Sequence, residues 1–269
     1  MFSYISSSIN KIINSILSSI LKNGISIPKI IGIIMDGNRR YSKKHNFKTI
    51  QGHTDGMETL FNFLQWSIQF EIKELIVYAF SVDNFNRNEN EIKDLINLFK
   101  ESFYKYMQSK ERNNTLGVKI CIYGNWSFFD EEMQKIFKDI EEKTKNNNLL
   151  KLNVCIGYNF TEELHHVRQS INDKAENLKN EFESKLYGGY NCNPDLLIRT
   201  SGETRLSNYL LYQCRFSMIM FLDKYWPELS FFDFCKILLK YNYNYTSHRE
   251  KLKSLEKANN FDILSNKYN

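Results

Sequence analysis

The sequence predicts a single α/β domain built on a mostly parallel six-stranded sheet flanked by helices, with an amphipathic helix at the N-terminus. Three observations carry this reading. Six short apolar runs recur along the chain, stretches of helical period lie between them, and polar or glycine residues bound each run. Runs that are apolar at nearly every position belong to strands covered on both faces, and their alternation with helices is the pattern of parallel crossover connections. The 269 residues allow one large domain or two small ones, and no internal repeat divides them.

The strand candidates are Ile30–Met35, Leu75–Phe80, Val118–Tyr123, Leu152–Gly157, Leu196–Ile198 and Met218–Phe221. Helical periodicity covers residues near 54–70, 89–110, 130–145, 161–182, 207–216 and 230–240. At the N-terminus, Phe2, Ile5, Ile9, Ile12, Ile13, Ile16, Leu17, Ile20 and Leu21 follow steps of three and four, with Ser and Asn on the other face. Only ten uncharged residues separate Lys11 from Lys22, short of the roughly 20 that span a bilayer, so this helix either lies on a membrane or docks on its own domain. The divisions expected are 1–24 for this helix, 25–243 for the main domain and 244–269 for a charged, Asn-rich tail in which a last helix frays.

Composition excludes several classes. Hydrophobic residues at 42% and charged residues at 25% are ordinary globular values, which rules out a wholly disordered chain, and three Pro among 269 residues rule out a Pro-rich linker. Set against 31 acidic residues, 36 basic ones leave a net +5, a mild surplus that fits a localised anion site and carries no nucleic-acid signature. Cys121, Cys155, Cys192, Cys214 and Cys235 contain no CxxC pair and read as free thiols in a reducing compartment. His165 and His166 have no metal-ligand spacing and read as helix residues.

Ligands of an open parallel sheet bind beyond the carboxyl ends of its strands, so the residues after each run are the place to look for chemistry. After Ile30–Met35 comes Asp36-Gly37-Asn38-Arg39-Arg40, after Leu75–Phe80 comes Ser81-Val82-Asp83-Asn84-Phe85-Asn86-Arg87, and after Leu196–Ile198 comes Arg199-Thr200-Ser201-Gly202-Glu203-Thr204-Arg205-Leu206-Ser207. Arginines beside turns that expose backbone amides suit phosphate oxygens. A carboxylate among phosphates calls for a cation between them, and Mg²⁺ favours one carboxylate plus substrate phosphate. Arg199, Arg205 and Ser207 form a second candidate phosphate pocket, so two phosphorylated substrates are expected. The plainer reading of Asp36 is a helix cap with surface-paired arginines beside it. Neither a Walker loop nor a GxGxxG stretch is present, which weighs against a nucleotide enzyme.

The segments IMDGNRRYSKK, QGHTDGMETL, YAFSVDNFNR and DLLIRTSGETRLSNYLLYQ, followed by WPEL, resemble the signature blocks of the cis-prenyltransferases, in order from about Pro28 to Phe232. The resemblance implies Mg²⁺-dependent condensation of isopentenyl diphosphate onto an allylic diphosphate primer such as farnesyl diphosphate, giving a long polyprenyl diphosphate for dolichol-type lipid. Residues 25–243 are then the catalytic domain. Asp36 would hold Mg²⁺ against the primer diphosphate, with Gly37, Asn38, Arg39, Arg40 and His53 around it. Arg199, Arg205 and Ser207 would bind isopentenyl diphosphate, and Ser81, Asn84 and Arg87 would lie near the reacting carbons. Glu203 matches a family Glu whose role is either direct or the holding of an arginine. Leu60, Phe63, Leu64 and Trp66 on one helix, and Ile92, Leu95, Ile96, Phe99 and Phe103 on the next, are candidates for an apolar tunnel or for plain core.

Three departures from the family pattern bear on partners. Met218 stands where single-subunit bacterial members carry a metal-binding Glu, and a thioether is a poor ligand for a hard cation. Thr49, beside Lys48, replaces a common Arg four residues before the motif His. No Arg-x-Gly element follows Tyr241. Thr49 leaves one primer-phosphate contact without its usual residue, Met218 with Arg39 and Tyr41 resembles the eukaryotic catalytic subunits, and Met218 with the missing element implies a homologous, Nogo-B-receptor-like partner subunit, with a homodimer as the other arrangement. Peripheral contact with the cytoplasmic face of the endoplasmic reticulum is the location implied. The rival reading, a noncatalytic scaffold subunit, conflicts with the presence of Asp36, Asn38, Arg40, His53, Arg199 and Arg205.

Overall fold

The computed structural model describes residues 19, 21, 23–108, 117–172, 174–189 and 192–259. Residues 19, 21, 23 and 24 are helical, and most of the amphipathic segment expected over 1–24 lies outside the described residues. The elements that follow are β1 (Ile30–Ile34), α1 (Asn38–Lys44), α2 (Thr49–Gln69), β2 (Glu74–Ser81), α3 (Glu89–Gln108), β3 (Val118–Tyr123), α4 (Glu131–Thr144), β4 (Leu150–Tyr158), α5 (Phe160–Ser170), α6 (Leu178–Lys185), β5 (Leu196–Arg199), β6 (Met218–Phe221) and α7 (Phe231–Asn259).

All six strands pair in parallel, in the order β3-β4-β2-β1-β5-β6. Their side chains alternate between two buried layers. Ile31 and Ile33 of β1 and Leu75 and Val77 of β2 enter the larger core, while Ile34 and Ile76 enter a smaller one built around Tyr158, Tyr209, Cys155 and Cys192. Burial on both faces is why β1, β2, β4 and β5 read as nearly unbroken apolar runs, while the edge strand β6 leaves Ile219 and Phe221 exposed. The chain runs outward from β1 to β2 on one side and to β5 on the other, so a topological switch point falls between β1 and β5.

Two expected helices differ from those observed. Residues 207–216 form a chain of turns, because Ser207, Asn208 and Leu210 hold left-handed backbone angles (φ 49°, 58° and 46°) that no right-handed helix admits. The stretch 161–182 divides into α5 and α6, since the Asn177 side chain accepts from the Asn180 amide and starts a new helix. The last helix is longer than expected: α7 buries Phe231, Phe234, Cys235, Leu238 and Tyr241 at steps of three and four, then continues past position 243 through a run of good helix formers. All five cysteines are free, and four are buried. No described helix is long and apolar enough to cross a membrane.

Helices α1 and α2 meet at Gly52, whose amide donates to Ser42 Oγ (2.9 Å), and a Cβ at this position would collide with that hydroxyl and with the Asn38 carbonyl. The close approach sets where α1 carries Arg39 and Arg40. Gly52→Ala is expected to lower stability by about 1–3 kcal/mol through overpacking and to reduce activity further by displacing α1, which denaturant titration alongside a turnover assay would measure.

Candidate active site

The three polar segments converge because β2, β1 and β5 are neighbours in the sheet, so their carboxyl ends lie side by side. Asp36 follows β1 and Arg199 ends β5. The Asp36 carboxylate accepts from Arg199 Nη2 at 2.7 Å and from Arg40 Nη2 at 3.4 Å, and its backbone carbonyl accepts from Thr200 Oγ1 (2.6 Å) and the Trp226 amide (3.0 Å). Gly37 (φ 107°) makes the turn into α1, where a Cβ would meet the Tyr225 ring at 2.8 Å. Asp36 is not a helix cap: Gly37 holds the capping position of α1 and no side chain caps it. Burial alone would raise the Asp36 pKa. The hydrogen bond and charge of Arg199, joined by Arg40 and the Gly37 amide, outweigh burial and hold the carboxyl below its ordinary value.

Arg199 is 4% exposed and organises the second pocket. Its Nη1 donates to Ser207 Oγ (2.8 Å) and to the Arg205 carbonyl, while its buried Nε has no partner. Tyr78 Oη donates to the Ser207 and Tyr158 carbonyls (3.3 and 3.2 Å) and the Phe160 amide to the Asn208 carbonyl (2.8 Å), which fixes the left-handed turn carrying Ser207. Arg205 is exposed and pairs with Glu203. Glu203 also pairs with Arg40 (3.2 Å), so it holds one arginine from each of the polar segments that follow β1 and β5. Arg40 reaches Ser201 as well, at its hydroxyl (2.6 Å) and carbonyl (3.1 Å).

On the other side of Asp36, Glu91 gathers three groups. Arg87 pairs with it at 3.0 Å, Arg39 at 3.8 Å, and His53 Nε2 lies 4.0 Å away. Both His53 Nε2 and Asn38 Oδ1 are buried without a hydrogen-bond partner, and both line the mouth of a cavity. Such orphaned polar atoms beside arginines are unmet donors or acceptors awaiting a polar ligand. Ser81 is buried and forms a reciprocal cap with Asn84: the Ser81 amide donates to Asn84 Oδ1 (3.1 Å) and the Ser81 side chain receives the Asn84 backbone amide. These two residues therefore shape the turn after β2.

Below the mouth, an apolar cavity runs between α2 and α3. Leu60, Leu64, Leu95, Phe99 and Phe103 line it. Phe63, Trp66, Ile92 and Ile96 do not; the first two sit on the opposite face of α2, packed on Phe234 (4.8 and 5.8 Å between ring centroids). His53, Met57, Leu60, Phe61 and Leu64 form one face of α2 at helical spacing, and positions 63 and 66 fall on the other.

Among the described residues no group of three or more His, Cys, Asp or Glu side chains is placed to hold a metal. Asp36 supplies one carboxylate, so a divalent cation here would take its remaining ligands from a bound diphosphate and water, which suits Mg²⁺. Met218 begins β6 opposite Leu196, three residues before the end of the strand that meets Arg199, and is remote from Asp36.

The Glu91 cluster, Tyr78 and the Trp226 anchor (Nε1 to the Gly56 carbonyl, 2.7 Å) were not foreseen as site residues. Of these, Glu91 alone had a local signal, four residues after Arg87 at the start of a helix. His165 and His166 lie on α5, where His165 pairs with Gln169 and His166 stacks on Tyr187 at 4.7 Å between ring centroids.

Known proteins are similar to this chain in sequence and fold. The family described as putative undecaprenyl diphosphate synthase matches residues 34–249. The dehydrodolichyl diphosphate synthase complex subunit of Mus musculus is 35% identical over 227 residues, covering 81% of this chain and 68% of that one. A tritrans,polycis-undecaprenyl-diphosphate synthase (geranylgeranyl-diphosphate specific) of Thermococcus kodakarensis is 35% identical over 229 residues, 82% of this chain and 86% of that one. The crystal structure of lavandulyl diphosphate synthase from Lavandula x intermedia in complex with dimethylallyl diphosphate superposes with a TM-score of 0.72 and 25% identity, covering 80% of this chain and 95% of that one. The chain belongs to the cis-prenyl diphosphate synthase family and is a transferase of prenyl groups.

Burial, with Arg87 and Arg39 adding to it, lowers the His53 pKa from 6.5 to about 4, so the ring is neutral at pH 7. Between those values the unfolded chain binds the proton and the folded chain does not, so this residue costs stability as pH falls from about 6.5 to about 4. The loss is on the order of 3 kcal/mol. Comparing wild type with His53→Asn by denaturant titration at pH 7 and pH 4 is expected to show the wild type losing that much more; equal losses would contradict a buried neutral imidazole.

Proposed function

We propose that the chain catalyses Mg²⁺-dependent cis elongation, adding isopentenyl diphosphate to an allylic diphosphate primer of the farnesyl type and releasing a long polyprenyl diphosphate for dolichol-type lipid synthesis. The observation that carries this reading is the placement of two arginine-lined pockets on either side of Asp36, above one apolar cavity. Asn38, Arg39, Arg40, His53 and the Gly37 turn bind the primer diphosphate, and Arg199, Arg205 and Ser207 bind the diphosphate of the second substrate. Mg²⁺, held by Asp36 and the primer diphosphate, would supply charge neutralisation for the leaving group. The arginines stabilise the negative charge that grows on that leaving diphosphate as the allylic carbon becomes cationic. Ser81, Asn84 and Arg87 border the space between the two diphosphates and orient the reacting ends. The lengthening hydrocarbon passes into the cavity lined by Leu60, Leu64, Leu95, Phe99 and Phe103, where water is excluded.

The dolichol-type product, a homologous partner subunit that supplies the Arg-x-Gly element and a location on the cytoplasmic face of the endoplasmic reticulum belong to the same proposal. The similarity to dehydrodolichyl diphosphate synthase complex subunits supports the dolichol-type product and a partner subunit, and the location rests on the resemblance of the sequence blocks alone. The scaffold alternative is disfavoured by the retention of Asp36 with Arg199 and Arg40 paired to it.

The test is incubation of the chain with Mg²⁺, farnesyl diphosphate and labelled isopentenyl diphosphate, with the extracted products sized. Wild type is expected to extend the primer, and Asp36→Ala and the nearly isosteric Asp36→Asn to fall by about a hundredfold or more. No extension by wild type, alone or with membranes or a partner subunit added, would overturn the proposal.

A further inference from the structure

Residues 37–54 contain no acidic residue and five basic ones: Arg39, Arg40, Lys43, Lys44 and Lys48. Those five equal the net charge of +5, so the rest of the chain is balanced at 31 basic against 31 acidic residues. In the folded chain these five gather on one corner, formed by α1, the turn after it and the start of α2, where Glu91, Glu203 and Glu228 offset Arg39, Arg40 and Lys44 and leave Lys43 and Lys48 outside any ion pair among the described residues.

The corner is built to be presented. His45, Asn46, Phe47 and Lys48 form the turn, with Asn46 in the left-handed conformation (φ 56°) and the Phe47 amide donating to the Ser42 carbonyl (2.8 Å). Phe47 is 48% exposed although its ring stacks on His45 (5.6 Å between centroids) and edges toward Tyr41 (6.3 Å). Lys43 and Lys48 are exposed on either side of it and form no ion pair among the described residues, while Lys44 is offset by Glu228 at 2.6 Å. Lysines flanking an exposed aromatic ring match the boundary of an anionic bilayer, where cations meet lipid phosphates and the ring enters the layer beneath. A small soluble diphosphate has no use for the ring.

We propose that this corner, with Lys43, Phe47 and Lys48 at its surface, is a docking surface for an anionic lipid bilayer. It adjoins His53, which lines the cavity mouth, so docking there brings the mouth to the lipid surface. That consequence for product release rests on the polyprenyl reading above; the docking itself does not.

The test is sedimentation of the full chain with phosphatidylcholine vesicles, with and without phosphatidylserine. Each lysine near an anionic surface strengthens binding about fivefold. K43Q/K48Q is therefore expected to bind phosphatidylserine vesicles about 25-fold more weakly than wild type, K43E/K48E more weakly still, and Phe47→Ser to bind more weakly with its salt dependence unchanged. All keep the N-terminal segment, so any binding it supplies is common to them, and all are expected to keep turnover of soluble substrates. Equal vesicle binding by wild type and both double variants would overturn the proposal. So would unchanged vesicle binding with a salt-sensitive fall in kcat/KM for isopentenyl diphosphate, which would make the corner a steering field for free diphosphate. Absence of prenyl transfer by wild type with the vesicle difference intact would remove the proposed function and leave the docking surface standing.

Discussion

The contact on which the site depends is the ion pair between Asp36 and Arg199. It joins the ends of β1 and β5 across the switch point of the sheet, and one partner is almost wholly buried. A buried guanidinium is costly unless its hydrogens are met. Asp36 meets it on one side, and Ser207 and the Arg205 carbonyl on the other, so a single side chain fixes the distance between Asp36 and the turn carrying Ser207. The left-handed turn at 207–210 follows from this. Its backbone strain is tolerated because Arg199, Tyr78 and the Phe160 amide hold it from three sides.

Carboxylates elsewhere in the site play the same holding part. Glu203 spans Arg40 and Arg205, and Glu91 gathers Arg87 and Arg39 near His53. These acids keep the cations apart and fix their directions, which preorganises them toward an anionic ligand. The cavity beneath adds the second constraint, since helix α2 turns one face to the cavity and the other to α7, and only the first face can meet a hydrocarbon chain.

The strands were legible within a residue or two because burial on both faces leaves an apolar run with no alternation to misread. The polar segments that follow them were legible for the same reason: they interrupt those runs abruptly. The turns at 207–216 were misread as a helix because Leu206, Tyr209, Leu210, Gln213 and Cys214 recur at steps of three and four, and all but Leu206 are buried. Periodicity records burial, and a tightly packed chain of turns produces the same record. Nothing local distinguished the cavity face of α2 from the face bearing Phe63 and Trp66, because both are apolar. The partner of Asp36 lies 163 residues away, so strand order, which no spacing rule supplies, was needed to find it.

A crystal structure with isopentenyl diphosphate, Mg²⁺ and an unreactive thio analogue of farnesyl diphosphate tests the account most directly. It predicts one diphosphate against Arg199, Arg205 and Ser207, the other against Asn38, Arg39, Arg40 and His53, with Asp36 between them and the hydrocarbon in the cavity between α2 and α3. Both diphosphates on one side of Asp36, or a hydrocarbon outside that cavity, would contradict it.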